Sequence, residues 1–457
     1  MKGMESRSSH RMDMTEGPLF SQIIRFTVPL FFTLILQLMF NAADLIVIGR
    51  FAAHEAMAAV GATSSLIHMI INIFFGLAIG TNVVAANAYG AKDQSLLSRT
   101  THTSMVVAVV GGVLVAAFGY AFARPLLEMM ATPANVLEKA TLYMRIYFLG
   151  LPVLMVYNFG SAVLRAVGDT RRPLIYLAVS GVLNVPLNLL LVLRFGMDVD
   201  GVAWATVLSQ IVSSALVWRA LASSHDGCRL EWRRLRVYWP VLRRMLEIGV
   251  PSAAQASCFS LSNILIQSAV NSFGSLAMAG NSATLSLEGI VYCGPYALHQ
   301  ATISFAGQNY GARQYARLRR SIWYCFWVSV VISSVMGPGA WLIGPELLSI
   351  YSTDPAVIAW GMKRIVVTFT TYALAGMMDV VSGAMRGIDK SLLSAIIVLV
   401  CVCGFRVVWL YTAFPMHRTM EMLMLSYPIT WGLATLVNGV ILVRALRRLG
   451  AGEPART

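Results

Sequence analysis

The first long apolar stretch of the chain, residues 20–48, carries polar side chains at helical spacing. Gln37, Asn41 and Asp44 stand at i, i+4 and i+7, so a helix places them on one face. A carboxylate inside an apolar bundle costs roughly 2.5–3.5 kcal/mol on insertion scales, and it usually faces a bundle interior or a water-filled cavity. We therefore predict that Asp44 binds a proton or a sodium ion. The alternative is a carboxylate that reaches interfacial water or pairs with Arg50.

Amide and hydroxyl side chains recur in the later apolar stretches of the same half of the chain. The candidates are Asn158, Asn184, Asn188 and Thr206. Each alone is more often an interhelical hydrogen-bond partner than a ligand, but together with Asp44 they could line a cavity. Desolvation favours the protonated form of a lone carboxyl group, so Asp44 could hold a proton near neutral pH. A sodium ion would instead keep Asp44 ionised and take amide and hydroxyl oxygens as further ligands.

The second half carries intramembrane acids of its own. Glu288 and Tyr292 share one predicted helix face, and His299 lies further along it. Glu288 is a candidate coupling group or a partner for cationic substrates, and the alternative is a packing interaction with Tyr or His. Asp379 is a further candidate, for which a gate or a salt bridge to Arg386, seven residues later, is the alternative.

Composition decides which elements position these residues. The 457 residues are 57% hydrophobic and 12% charged, whereas about a quarter of a soluble domain is charged. Apolar runs long enough to cross a bilayer recur along the chain, and the first is too long for a signal peptide. The sequence thus predicts an all-α polytopic membrane protein. Its twelve spans lie near residues 20–48, 57–88, 102–123, 141–163, 173–195, 200–221, 240–270, 277–305, 321–343, 362–383, 391–414 and 421–446.

The formal net charge of +14 is distributed as a membrane protein requires. Lys and Arg concentrate on segments that lie on one side if both termini are cytoplasmic, and the densest patch is 228–245. A cationic inner surface facing anionic lipid explains the charge without a nucleic-acid partner. The six cysteines show no disulfide framework or metal spacing, and Cys228 alone is expected to be an exposed thiol.

The chain contains an internal duplication. "FTVP" ending at Pro29 matches "IGVP" ending at Pro251, "AMAAVGATSS" matches "AMAGNSATLS", and "YGAKD" matches "YGARQ" at a nearly constant offset. The glycine of this last motif is expected to adopt the left-handed helix cap. Six spans per half make the repeats parallel, which predicts two pseudo-symmetric six-helix bundles of an alternating-access carrier. The predicted parts are a tail (1–16), a bundle (17–222), a basic linker (223–239), a second bundle (240–446) and a tail (447–457).

Four motifs resemble the multidrug and toxic compound extrusion (MATE) transporters: "QLMFNAADLIVIGRF", "NAYGAKD", "GQNYGAR" and "LRAVGDTRRP". The stretch beginning "SLSNILIQSAV" is most similar to the bacterial DNA-damage-inducible-protein-F-like branch. This resemblance implies a cofactor-free monomer of the bacterial inner membrane that exports cationic or amphipathic compounds in exchange for protons or sodium. It also implies that Asp44 is the cation site and that Pro29, fifteen residues earlier, lets the helix bend. The span-five pattern Asn-x-x-x-Asp of the family is Asn184-x-x-x-Asn188 here, which removes one carboxylate.

We therefore expect a secondary active efflux transporter that works by alternating access. The alternative is a flippase for a lipid-linked or amphiphilic metabolite. A flippase is expected to have an arginine-rich cavity, whereas the mid-span charges of this sequence look mainly acidic. An enzyme is not expected, since "HEAMA" at 54–58 lacks the second histidine of a zinc protease, and no GK dipeptide provides a Walker A loop.

Overall fold

The computed structural model describes residues 11–51, 54–130, 132–224 and 226–451. Every regular element within these ranges is a helix. Nine of the described helices are long and apolar enough to cross a membrane, and a tenth crossing consists of two helices bent by 48° at a short break. The predicted fold class, an all-α polytopic membrane protein, is confirmed.

The first half of the chain forms six long helices. Proline occurs inside several of them, including Pro29 in the first, which nevertheless runs as one helix. The fifth helix continues into a π-helical segment, Leu190–Arg194. The helices are α1 (Leu19–Phe51), α2 (His54–Gly90), α3 (Gln94–Met129), α4 (Ala134–Ala166), α5 (Arg171–Leu189) and α6 (Val199–Ala222).

The second half repeats this plan with more interruptions. The predicted tenth span is the bent pair α11 (Pro355–Thr370) and α12 (Tyr372–Gly387). A π-helical segment, Leu399–Gly404, joins α13 (Ser391–Val398) to α14 (Phe405–Thr412). The predicted seventh and eighth spans correspond to α7 (Trp239–Asn271) and α8 (Ser275–Gly311). These helices are 33 and 37 residues long but are not among the nine apolar helices. The helices are α7 (Trp239–Asn271), α8 (Ser275–Gly311), α9 (Tyr315–Leu342), α10 (Gly344–Ser349), α11 (Pro355–Thr370), α12 (Tyr372–Gly387), α13 (Ser391–Val398), α14 (Phe405–Thr412), α15 (Met420–Met424) and α16 (Ser426–Gly450).

The duplicated Tyr-Gly-Ala-Lys/Arg motif forms the same turn in each half. The backbone nitrogens of Lys92 and Arg313 both donate to the carbonyl oxygen three residues earlier, at 3.0 Å. The left-handed residue is the cation rather than the glycine, because Lys92 and Arg313 both have φ of 56° while the glycines end their helices. The expectation of a left-handed glycine was wrong by two residues. The shared turn supports the duplication.

The chain divides into two compact units. One contains Phe32–Leu246 together with the described residues up to Asp13, and the other contains Met14–Phe31 and the chain from Glu247 onward. The division therefore falls inside α1, shortly after Pro29. The predicted bundle boundaries stay predictions, and residues 1–10 and 452–457 of the predicted tails lie outside the described residues.

An arginine explains why the residues from Met14 to the start of α1 belong to the second unit. Arg317, in the first turn of α9, donates to the carbonyl oxygens of Met14 at 2.9 Å, Glu16 at 2.7 Å and Gly17 at 2.8 Å. The amide of Asn309 adds a bond to the Met14 carbonyl at 3.2 Å. Three charge-assisted bonds to nearby carbonyl oxygens fix a backbone segment that lies outside any helix.

Cys228, which the sequence suggested as an exposed thiol, is fully buried in the connection after α6. Burial raises the pKa of its thiol to about 11, although the Arg11 guanidinium opposes that shift. A raised thiol pKa leaves less thiolate at any given pH, and the thiolate is the reactive form. We expect Cys228, as the sole remaining cysteine, to react with N-ethylmaleimide at pH 8 at least about tenfold more slowly in the native protein than after unfolding. Equal rates in the two states would contradict the buried placement.

Candidate functional site

A polar cluster surrounds Asp44 in the unit formed by Phe32–Leu246. Asn188 on α5 donates from Nδ2 to Asp44 Oδ1 at 2.6 Å. Thr206 on α6 places Oγ1 3.2 Å from Asp44 Oδ2. Thr206 Oγ1 is also 3.0 Å from the Val202 carbonyl oxygen, and its single proton can be donated to only one of the two acceptors. The carboxylate is thus held by an amide and a hydroxyl group from two other helices.

The two asparagines of α5 leave one oxygen unused. They lie one helical turn apart, so Asn188 Nδ2 also reaches Asn184 Oδ1, at 3.0 Å. Because Asn188 Nδ2 donates to both Asp44 Oδ1 and Asn184 Oδ1, the nitrogen and oxygen positions of the Asn188 amide are fixed. Asn188 Oδ1 is buried and has no hydrogen-bond donor among the described residues. A carboxylate next to an unpaired amide oxygen is an arrangement that a proton or a small cation would complete.

The other predicted members of this site are placed elsewhere. Gln37 is half-buried and Asn41 is exposed, and neither hydrogen-bonds to Asp44 in the part of the chain that the structure describes. Asn158 is buried, but its amide donates to the Leu154 carbonyl of its own helix at 3.0 Å. The structure therefore brings Asn184, Asn188 and Thr206 to Asp44 and leaves the other three apart.

Two aromatic residues that the sequence did not single out lie near this cluster. The hydroxyl groups of Tyr143 and Tyr147 on α4 interact electrostatically with Asp44, and their rings lie 6.3 Å apart. Tyr143 and Tyr147 are four residues apart, and this spacing could have predicted from the sequence that they share one helix face. The alternative pairing of Asp44 with Arg50 falls on a side chain outside the described residues.

Glu288 in the second unit is paired with an arginine. Arg364 on α11 donates from Nη2 to Glu288 Oε2 at 2.5 Å and from Nη1 to Asn281 Oδ1 at 2.6 Å. The Arg364 side chain is 2% exposed. Arg364 lies two residues after the start of the predicted tenth span, at 362, so the sequence pattern placed it at the end of a helix. Asp354 followed by Pro355, an N-cap followed by a proline at the first helical position, marks the earlier start that the helix has.

Tyr292, His299 and Asp379 form a separate group near the Arg386 guanidinium. The Tyr292 hydroxyl interacts electrostatically with the Asp379 carboxylate. His299 donates from Nδ1 to the Asp379 carbonyl oxygen at 2.7 Å and accepts from Arg386 Nη1 at Nε2, at 2.8 Å. Asp379 Oδ2 is buried and has no hydrogen-bond partner in the described residues. Glu288 therefore does not join the Tyr and His residues of its own helix face.

The buried charges of the second unit are not mainly acidic. Three arginines of this unit are buried: Arg364, Arg386 and Arg406 are 2%, 5% and 2% exposed. The acidic site candidates of the described part of this unit are two, Glu288 and Asp379. The expectation of mainly acidic mid-span charges was wrong. Arg364 looked terminal in the sequence, and Arg386 lies near the end of its helix but is covered by Gln255, which accepts from its Nη2 at 2.9 Å.

Comparisons with known proteins agree with this architecture. The sequence profile of the MatE family matches the chain twice, at residues 29–190 and 251–412, which reproduces the internal duplication. A probable multidrug resistance protein of Bacillus subtilis (strain 168), YoeA, is 28% identical over 84% of both chains. An FAD transporter of Shewanella oneidensis is 23% identical over 85% of this chain and 86% of its own length.

A solved structure has the same fold. It is an outward-facing multidrug resistance MATE family transporter of the MOP superfamily, and it superposes with a TM-score of 0.87 at 21% identity over 96% of this chain and 98% of its own. At that identity the likeness concerns the fold alone. The two profile matches together cover more than half of the chain. The protein is a member of the MatE family, the multidrug and toxic compound extrusion transporters, and its resemblance to them in the sequence motifs is confirmed.

Proposed function

We propose that the protein is a secondary active exporter of organic cations and amphipathic compounds, coupled to the entry of protons or sodium ions. The observation that carries this proposal is the Asp44 carboxylate beside the unpaired Asn188 oxygen. Ionisable groups inside a membrane bundle are costly and commonly lie on ion pathways. The YoeA relative, a probable multidrug resistance protein, supports the class of substrate.

The cluster can exchange its hydrogen bonds when a proton binds. The ionised Asp44 accepts from Asn188 Nδ2 and from the Thr206 hydroxyl. A protonated Asp44 gains a donor, and the Thr206 proton can then turn to the Val202 carbonyl. A sodium ion would use the Asp44 oxygens with Asn188 Oδ1. One such charge moving down about 100 mV supplies roughly 2.3 kcal/mol, enough for a concentration ratio of some tens-fold for a neutral substrate.

Alternating access requires α1 to respond to the state of Asp44. Pro29 has no N–H, so α1 lacks one backbone hydrogen bond at this position. The division between the two compact units follows two residues later, after Phe31. We propose that α1 bends at Pro29 when Asp44 exchanges its ion.

The same proposal includes placement in the cell. The distribution of Lys and Arg in the sequence favours cytoplasmic N- and C-termini. The relative from Bacillus subtilis supports a bacterial protein of the cytoplasmic membrane. We propose a monomer, since each half contains its own polar clusters.

A second candidate function is a flippase for a lipid-linked or amphiphilic metabolite. The buried Arg364, Arg386 and Arg406 of the second unit favour it, because guanidinium groups bind phosphate and carboxylate. The Shewanella relative, an FAD transporter, also indicates that this fold is not restricted to cations. The two candidate functions differ in the charge of the cargo.

Transport in proteoliposomes tests the first candidate. We expect ethidium to be moved across the membrane when a proton or a sodium gradient is imposed, and the effective gradient identifies the coupling ion. A gradient of the other ion with the same membrane potential is the matched control. Ethidium movement that neither gradient changes would contradict the exchange mechanism.

A further inference from the structure

The second unit contains a polar cluster on the same three helices of its repeat as the Asp44 cluster. The family profile matches the two halves separately, and the first, fifth and sixth helices of the first half provide Asp44, Asn188 and Thr206. The corresponding helices of the second half, α7, α14 and α16, provide Asn263, Arg406 and Tyr427. The charged residue of this second cluster is a base instead of an acid.

A π-helical segment lies beside each cluster. In the first half Leu190–Arg194 begins two residues after Asn188, and in the second half Leu399–Gly404 ends two residues before Arg406. Such segments occur mostly as single turns in helices and frequently lie at functional sites. The duplicated position of the two clusters is therefore accompanied by a duplicated local distortion.

Arg406 is fixed by an aromatic ring and one amide. Its Nη1 donates to Asn263 Oδ1 at 3.3 Å, and its guanidinium carbon is 3.9 Å from the centroid of the Tyr427 ring. The Tyr427 hydroxyl donates to the same Asn263 oxygen at 3.3 Å. Arg406 is 2% exposed, whereas Asn263 is exposed. Asn263 thus stands between the guanidinium and the accessible surface.

The charges around Tyr427 do not balance. Arg364 and Arg406 lie 5.5 Å and 3.9 Å from its ring centroid, and Arg364 takes the Glu288 carboxylate at 2.5 Å. Arg406 has no carboxylate within 4.0 Å among the described residues, and its Nε is buried without an acceptor there. Two guanidinium groups share one carboxylate, which leaves an excess positive charge in a membrane-spanning segment, Ser391–Met416. An uncompensated buried charge is strongly unfavourable.

We propose that Arg406 binds the carboxylate or phosphate group of an amphipathic molecule that the protein transports, with Asn263 and Tyr427 lining the site. A guanidinium presents five N–H donors in a fork that matches these anions, and most of those of Arg406 are unused. This inference rests on the proposed transport function, within which it favours the second candidate, and it names the charged group of the cargo.

Equilibrium binding of two dyes tests the site. Fluorescein and rhodamine 123 share a xanthene ring system but carry opposite charges. With the full chain in phosphatidylcholine nanodiscs, we expect Arg406→Gln to weaken fluorescein binding at least about tenfold, as expected for a lost hydrogen bond to a charged group. Arg406→Lys is expected to retain part of the affinity, and rhodamine 123 binding is not expected to weaken.

A second variant keeps the arginine and fills its site. Asn263→Asp places a carboxylate where the amide oxygen now lies, 3.3 Å from Arg406 Nη1. We expect this exposed substitution to weaken fluorescein binding as much as Arg406→Gln does, without lowering the melting temperature. Fluorescein affinity equal to that of the parent protein in Asn263→Asp would overturn the proposal, whatever Arg406→Gln does.

A change of lipid tests whether the anion at Arg406 belongs to a transported molecule or to a lipid headgroup. A phosphatidylglycerol surface repels fluorescein from every variant, so the quantity to compare is the ratio of the fluorescein affinities of the parent protein and Arg406→Gln. This ratio should be the same in phosphatidylcholine and in phosphatidylglycerol if the site takes a transported molecule. A ratio that falls to about one in phosphatidylglycerol would overturn that assignment in favour of a lipid headgroup. No ion gradient is present in these measurements, so their failure is separate from a failure of gradient coupling in proteoliposomes.

Discussion

Asp44→Asn is expected to abolish gradient-driven ethidium transport while leaving the protein folded. The amide keeps the volume of the carboxyl group and an oxygen that can accept from Asn188 Nδ2, now 2.6 Å from Asp44 Oδ1. It cannot bind a proton in the physiological range and carries no charge for a sodium ion. We expect the initial rate of uphill transport in proteoliposomes to fall at least about tenfold, a barrier increase of about 1.4 kcal/mol or more.

A matched acid in the same half provides the control. Asp198 precedes α6 and pairs with Lys139 at 2.9 Å, and both side chains are about one-third exposed. Asp198→Asn removes one negative charge without touching the Asp44 cluster, so transport should depend on the gradient as in the parent protein. If Asp44→Asn also retained unchanged gradient dependence, Asp44 would not be the coupling group. Downhill ethidium exchange in Asp44→Asn would show that the cargo path remains intact.

Arg364→Gln is expected to have the largest effect on stability. It leaves the Glu288 carboxylate, whose side chain is 17% exposed, without its partner at 2.5 Å. Breaking one side of a buried ion pair costs about 3–5 kcal/mol, because the remaining charge stays desolvated. For a unit of this size we expect the melting temperature in detergent to fall by roughly 10 °C or more.

Two further variants distinguish the effect of breaking the buried ion pair from the effect of losing the packing of the Arg364 side chain. Glu288→Gln with Arg364→Met removes both charges and should recover most of the lost stability, since neutral replacement of a buried pair is often tolerated. Arg124→Gln breaks the exposed pair with Glu128 and should leave the melting temperature unchanged. A double variant as unstable as Arg364→Gln would show that the arginine stabilises the bundle by packing alone.

The distribution of apolar residues in the sequence determined that the protein consists of membrane-spanning helices. Runs long enough to cross a bilayer can only be helices there, since each helix satisfies its own backbone hydrogen bonds. The repeated motifs predicted the duplication, which the two profile matches reproduce. Asp44 could be identified as a candidate site residue from the sequence, because an acidic residue inside an apolar helix must face the bundle interior or a water-filled cavity.

Only the tertiary structure decided which polar groups meet. Asp44 and Asn188 are 144 residues apart in the chain, and Glu288 and Arg364 are 76 apart, and no sequence period connects them. Gln37 and Asn41 share a predicted helix face with Asp44 but make no hydrogen bond to it in the described structure. Which side chain faces which depends on the rotation of each helix against its neighbours. This packing leaves Arg406 without a carboxylate within 4.0 Å among the residues that the structure describes.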